Sequence, residues 1–209
     1  MPEDVFERYA EEYDRWFEEH REEYLAEMAR IRRLLPPIDS TAMEVGAGSG
    51  RFTASLGIAI GIEPSRALGR MARRRGIEVI RGRAEFLPTR DGSCSCVLLV
   101  TVICYLEDPV PAFREIHRSL IPAGFLIIAF IEREGQIHRR YLREAGKGRF
   151  LSQAKFYSSG EVLAALRETG FYAVRVDSRD GFCVIAAQKN HPKTFPDISS
   201  SLNPVTGER

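Results

Sequence analysis

Across residues 3–35 the apolar side chains Phe6, Tyr9, Tyr13, Trp16, Phe17, Tyr24, Met28, Ile31 and Leu35 recur mostly three or four positions apart. Glu7, Glu11, Glu12, Glu18, Glu19, Glu22 and Glu23 fill the positions between them. This spacing predicts an amphipathic helix with a solvated acidic face. A break is expected near residues 18–20, and Pro36-Pro37 ends the segment. The aromatic density of the first half also suits a lid whose rings Tyr9, Tyr13 and Trp16 face a ligand.

Beyond residue 40 the pattern changes to short apolar runs that alternate with helical spacing. Strands are expected at 41–46, 58–63, 78–80, 96–101 and 124–131, then at 171–177 and 182–188. Helices are expected at 65–75, with Ser65 as N-cap, at 109–120, with Pro111 in the first turn, and at 158–169, closed by Gly170. The runs 96–101 and 124–131 are almost wholly apolar, as in strands buried on both faces. This order argues for an α/β, doubly wound, mostly parallel sheet of seven strands. The last two strands are joined without a helix, which makes the final strand antiparallel. The organisation expected is a helical lid over 1–38, a ligand-binding body over 39–189 with an insert at 132–155, and a loose tail over 190–209.

The chain has 209 residues, 44% of them hydrophobic and 28% charged, with a net charge of +1. That is ordinary for one globular unit and gives no bulk signal for nucleic acid or membrane. No apolar leader-like segment or membrane-length run is visible, so the expected compartment is the cytoplasm. Cys94, Cys96, Cys104 and Cys183 form no Cys-x-x-Cys pair and no zinc-like spacing with histidine. They read as small apolar filler, and no metal site is expected.

The candidate chemistry lies where the first strand ends. Glu44-Val45-Gly46-Ala47-Gly48-Ser49-Gly50 carries an acid inside the strand and three glycines at alternate positions. Glycines so placed let the backbone turn sharply and approach a ligand. A strand, a Gly loop and a helix hold nucleotide-like ligands at the carboxyl end of a sheet. A dinucleotide fingerprint would need glycine at position 51, where this chain has Arg51. A nicotinamide-dependent oxidoreductase is therefore the weaker reading.

With the segments that follow, the loop resembles class I S-adenosylmethionine-dependent methyltransferases of the small-molecule type (methyltransferase type 11-like). The matching segments are Gly61-Ile62-Glu63-Pro64-Ser65, Gly82-Arg83-Ala84-Glu85-Phe86-Leu87-Pro88, Leu106-Glu107-Asp108-Pro109, the stretch from Arg114 to Gly124, and Tyr13-Asp14-Arg15-Trp16. The resemblance implies a Rossmann-like sheet with S-adenosyl-L-methionine as cofactor. It puts Gly46, Ala47, Gly48 and Gly50 under the methionine part of the cofactor, and Glu44 near its ammonium. Glu63, followed by Pro64, would accept the ribose hydroxyls, since a carboxylate offers two acceptor oxygens. Ala84 would meet the adenine edge, with Phe86 or Ile62 on the ring. Thr101, Val102 and Cys104 would floor the reactive end under Tyr13.

The chain also departs from the family pattern. Arg83 stands where an acid usually meets the adenine amine, which leaves Glu85 or water to serve. Cys94-Ser95 replaces Phe-Asp. Cys104-Tyr105 replaces a His-rich pair, so no general base is evident and the catalytic residue is unassigned; His138 is the outside candidate. Methyl transfer can run on positioning and water exclusion alone. The expected function is methyl transfer to a small molecule, with the acceptor left open. Arg139, Arg140, Arg143, Lys147 and Arg149 in the insert would attract an anionic one. The rival reading is a cofactor-binding sensor that transfers no methyl group. The arginines of 66–75 read as a solvated helix face rather than an RNA contact.

Overall fold

A computed structural model describes residues 3–143 and 148–190. Seven strands form one sheet: β1 (Met43–Val45), β2 (Ile60–Ile62), β3 (Glu78–Ile80), β4 (Cys94–Val100), β5 (Leu120–Ile131), β6 (Phe171–Arg179) and β7 (Phe182–Lys189). Their order is β3-β2-β1-β4-β5-β7-β6. β7 lies antiparallel between β5 and β6, and the other neighbouring strands run parallel. The expected doubly wound sheet with an antiparallel last strand is what forms.

Apolar side chains fill both faces. Val97 and Leu99 of β4 pack with Phe113 and Ile116 of α6 (Val110–Ser119) and with Val162 and Leu166 of α8 (Ser159–Glu168). Cys96, Leu98 and Val100 of the same strand point the other way. They meet Tyr24, Met28 and Ile31 of α3 (Arg21–Leu34) and Phe52 of α4 (Arg51–Ser55). Each such side chain stabilises the fold by roughly 1.5–3 kcal/mol. All four cysteines are free and buried. Among the described residues no group of three or more His, Cys, Asp or Glu could hold a metal, and no helix is long and apolar enough to cross a membrane.

The caps follow the local sequence. The Ser65 hydroxyl accepts the Leu68 N–H at the start of α5 (Arg66–Arg74), and Ser158 and Glu161 close a capping box on α8. The N-terminal segment is three helices: α1 (Glu3–Arg8), α2 (Ala10–Glu19) and α3. The expected break sits at His20, whose ring stacks on Trp16 at 4.6 Å. A second break, at Tyr9, was not expected. There Glu7 reaches α5 and accepts from the Ser65 hydroxyl at 2.7 Å and the Ala67 N–H at 3.1 Å. The insert, for which the sequence pattern predicts no element, contains α7 (Gln136–Arg143) and a 3-10 turn at Leu151–Gln153. Lys147 and the tail from 191 onward lie outside the described residues.

Candidate functional site

The parallel strands β1, β2 and β4 carry their carboxyl ends to one cavity of about 60 Å³, lined by residues of the Gly loop, β2, β4 and the lid. Gly46 turns at φ 73°, and a Cβ there would run into the Val102 side chain. Gly48 turns at φ 56°, with the Tyr13 ring 3.3 Å from where its Cβ would stand. The loop is therefore a cradle under a close aromatic roof. Gly46 and Ala47 donate to the Ile62 carbonyl at 2.8 and 3.1 Å, which ties the loop to the end of β2.

Glu63 follows β2 and is buried. One carboxylate oxygen accepts the Gly48 N–H and the other the Ser65 N–H, both at 2.8 Å. These bonds fix the plane of the carboxylate at the mouth of the loop, and a carboxylate can accept on both of its oxygens. Glu44 turns away from the cavity, buried, and accepts the Thr53 hydroxyl of α4. Burial, opposed by the Thr53 hydrogen bond and helped by the charge of Glu63, pushes its carboxyl up to about 8.

At the end of β4 the chain leaves the strand through Thr101, at φ 51°. A β-branched residue in that region costs about 1–3 kcal/mol. The Cys104 thiol donates to the Thr101 carbonyl at 3.0 Å. Over this end four rings close together. Phe6 meets Tyr13 at 5.4 Å and Tyr105 at 5.1 Å edge-on, and stacks on Phe150 at 5.5 Å. The Tyr105 hydroxyl donates to the Phe150 carbonyl at 3.2 Å. Burial raises the Tyr13 and Tyr105 phenols far above their ordinary value and pushes the Cys104 thiol up to about 12.

Of the residues singled out in the sequence, Tyr13, Gly46, Gly48, Glu63, Pro64 and Thr101 meet in the cavity wall. Glu44, Ala47, Gly50, Ala84, Glu85 and Cys104 stand behind it. Ala47 and Ala84 are buried, and Gly50 caps α4 at φ 84°. Glu85 lies 3.7 Å from Arg83, and its Oε2 is buried without a hydrogen-bond partner. Phe86 is 78% exposed. Phe6, Tyr105 and Phe150 were missed as site residues; the seven-residue step from Phe6 to Tyr13, two helical turns, was the available signal for the first.

His138 does not face the cavity: its Nδ1 accepts the Glu134 N–H at 2.9 Å and its ring lies against Phe156. The insert's Arg140 pairs with Glu23 at 3.0 Å. Arg149 pairs with Glu12 at 3.3 Å and covers the Tyr9 ring at 3.7 Å. Those two guanidiniums hold the insert against the lid helices.

The lid is latched to the loop through Asp14. Its carboxylate accepts from Arg51 at 2.7 and 2.8 Å and from Arg75 at 2.8 Å, and Arg75 also donates to the Ser49 carbonyl at 2.9 Å. Burial works against the charge, but these bonds outweigh it and hold the Asp14 carboxyl well below the usual range. Ligand sites usually span about 300–1,000 Å³, so the cavity under the latched rings is smaller than a cofactor needs. The cradle at Gly46, the buried Glu63 carboxylate at the end of β2 and the unpartnered Glu85 Oε2 fit S-adenosylmethionine.

Residues 43–128 match the family model of a methyltransferase domain. An uncharacterised protein of Methanocaldococcus jannaschii is 35% identical over 171 residues, 82% of this chain and 82% of its own length. An uncharacterised methyltransferase of Geobacillus kaustophilus is 28% identical over 210 residues, 90% of this chain and 91% of its own. Among solved structures, a Thermotoga maritima SAM-dependent methyltransferase, a possible histamine N-methyltransferase, superposes with a TM-score of 0.82 at 35% identity; the match covers 89% of this chain and 99% of that one. Fold, glycine cradle and relatives matched along most of the chain agree: the protein belongs to the class I S-adenosylmethionine-dependent methyltransferases, whose cofactor is S-adenosyl-L-methionine.

Proposed function

We propose that the protein methylates an amine nitrogen of a small molecule and does so by positioning alone. Glu63 takes the ribose hydroxyls, the Gly46–Gly48 backbone supports the methionine part, and Glu44 acts on the cofactor ammonium from behind the loop. Bound there, the cofactor supplies an electrophilic methyl group on sulfonium sulfur.

One observation carries the choice of acceptor. Around the aromatic chamber of Phe6, Tyr13, Tyr105 and Phe150, the acidic side chains are held far from neutral titration: Cys104 is up to about 12 by burial, and both tyrosines are raised by burial. None of these three groups takes a proton from a hydroxyl at neutral pH, and a hydroxyl acceptor needs a base. A neutral amine needs none. Its lone pair forms the N–C bond as the S–C bond breaks, and the extra proton leaves afterwards to water. Aromatic faces also suit a cationic product. The Thermotoga relative, 35% identical, supports the same acceptor class.

The test is release of S-adenosylhomocysteine with pooled amines, carboxylates and hydroxyl compounds. Turnover confined to amines is expected, with a pH profile that follows the amine's own pKa. Turnover on hydroxyl or carboxylate acceptors alone overturns the amine reading. Cofactor binding without turnover on any class favours the sensor. Glu63→Ala should weaken cofactor binding by about 1.5–3 kcal/mol, the range for hydrogen bonds to a charged group.

A further inference from the structure

Ser65 stands between the cofactor cavity and the first lid helix. Its N–H donates to Glu63 Oε1 at 2.8 Å, while Glu63 Oε2 accepts the Gly48 N–H. Its hydroxyl donates to Glu7 Oε2 at 2.7 Å and lies 3.4 Å from the Phe6 carbonyl oxygen. Gly48, Glu63, Ser65 and Glu7 are thus joined in series from the glycine loop to α1. Glu7 Oε2 also accepts the Ala67 N–H at 3.1 Å, so its charge faces the first turn of α5, where the helix dipole favours an anion. The Ala67 and Ser65 bonds, with the charge of Arg70, hold the Glu7 carboxyl below its usual range.

α1 has six residues, and isolated helices shorter than about 12 residues are marginal in water. Tertiary contacts must therefore hold it in place, and Glu7 supplies charge-assisted ones. Phe6, next to Glu7 in the chain, is the ring on which Tyr13, Tyr105 and Phe150 converge. We propose that Glu7 is a positioning residue for methyl transfer: through Ser65 and Ala67 it seats α1 on α5, and so sets the Phe6 ring over the reacting end of the cavity. Glu7 itself lies outside the cavity wall and acts through its neighbours. Because Ser65 bonds both carboxylates, an unseated α1 also loosens the turn that orients Glu63. The seating of α1 stands by itself; its effect on cofactor exchange rests on the reading of Glu63 given above.

Two measurements test it. In the cofactor-free protein, Glu7→Ala should raise amide hydrogen exchange at Ala67 and across residues 5–13 several-fold, with the central strands unaffected. With cofactor product bound, the same variant should speed S-adenosylhomocysteine release several-fold and leave the urea midpoint nearly unchanged. Glu7→Gln keeps an oxygen for the Ser65 hydroxyl and the Ala67 N–H, and should restore most of both readouts. Phe6→Ala should speed release by itself, and Glu7→Ala added to it should have little further effect, because the two act through one contact. Unchanged exchange around α1 overturns the anchor, whether or not a cofactor binds. Faster exchange with unchanged release, additive effects of the two alanine variants, or no recovery in Glu7→Gln overturns the positioning role. So does a urea midpoint that falls in step with release, which would make Glu7 a structural cap alone. A protein whose exchange responds but which binds no S-adenosylhomocysteine would sink the methyl-transfer reading and leave the anchor standing.

Discussion

The centre of the sheet and the lid are held by different forces. In β4, β5 and β7 the side chains of Leu98, Ile127 and Val184 are fully buried, and the layer is apolar. Such contacts form together and are lost together, on global unfolding. Phe17 and the apolar face of α3 belong to that layer too, but the front of the lid, from Phe6 to Asp14, is held by ring edges around Phe6 and Tyr13 and by the Asp14 latch on Arg51 and Arg75. Those contacts can part while the sheet stays intact, which is how low-stability segments near a ligand behave. The cofactor cavity lies at the seam, with Gly46 and Glu63 on the rigid side and Tyr13 on the movable one.

The largest effect should come from the rigid side. Leu98→Ala opens a cavity at a position with 0% exposure and should cost about 2–5 kcal/mol by urea unfolding. Tyr13→Ala should move that midpoint far less while it speeds cofactor release. A large global loss from Tyr13→Ala would mean that lid and sheet are one cooperative unit.

Glu44 gives the next effect, on the order of 3 kcal/mol, and it depends on pH. Its ordinary value is 4.5 and burial pushes it up to about 8. Below 4.5 both folded and unfolded chains hold the proton, and nothing is gained or lost. Between 4.5 and 8 the unfolded chain has released a proton that the folded chain keeps, so stability falls as pH rises. Glu44→Gln should flatten this part of the stability curve. Glu27, also raised by burial to about 8, supplies a residual slope. If Glu44 serves the cofactor ammonium, binding near pH 7 should release a proton, visible as a buffer-dependent binding enthalpy.

The same contrast explains what could be read in advance. β4 and β5 were legible because strands buried on both faces carry unbroken apolar runs. Gly46 and Gly48 were legible because alternate glycines after an apolar run mark a tight backbone turn, whereas Glu63 and Thr101 were singled out only through the resemblance to the family. The break at Tyr9 was not legible: no side chain caps α2 there, and Glu7 instead bonds Ser65, fifty-eight positions away. Glu44 was legible as an acid inside a strand, but its partner Thr53 lies on the next helix. Phe150 was hidden in a segment whose glycines read as loop, and its partners Phe6 and Tyr105 come from distant elements. What long-range packing assembles has no periodicity to find.

Two ion pairs of similar length give the smallest and sharpest test. Arg51–Asp14 is 2.7 Å long with both side chains 16% exposed; Arg114–Glu168 is 3.0 Å long with its side chains 65% and 57% exposed. Coulomb attraction at these lengths is nearly equal in a uniform medium, so any difference in weight comes from surrounding water and geometry. Asp14 is gripped by two guanidiniums, while the Arg114 pair sits in solvent between α6 and α8. Asp14→Asn should therefore cost about 1 kcal/mol, after allowance for partial exposure, and it should appear as cofactor release several-fold faster rather than as lost fold stability. Arg114→Ala should shift unfolding by less than about 0.5 kcal/mol and vanish in 1 M salt. Equal effects from the two variants would mean that the latch is one more surface pair and that the aromatic rings alone hold the lid.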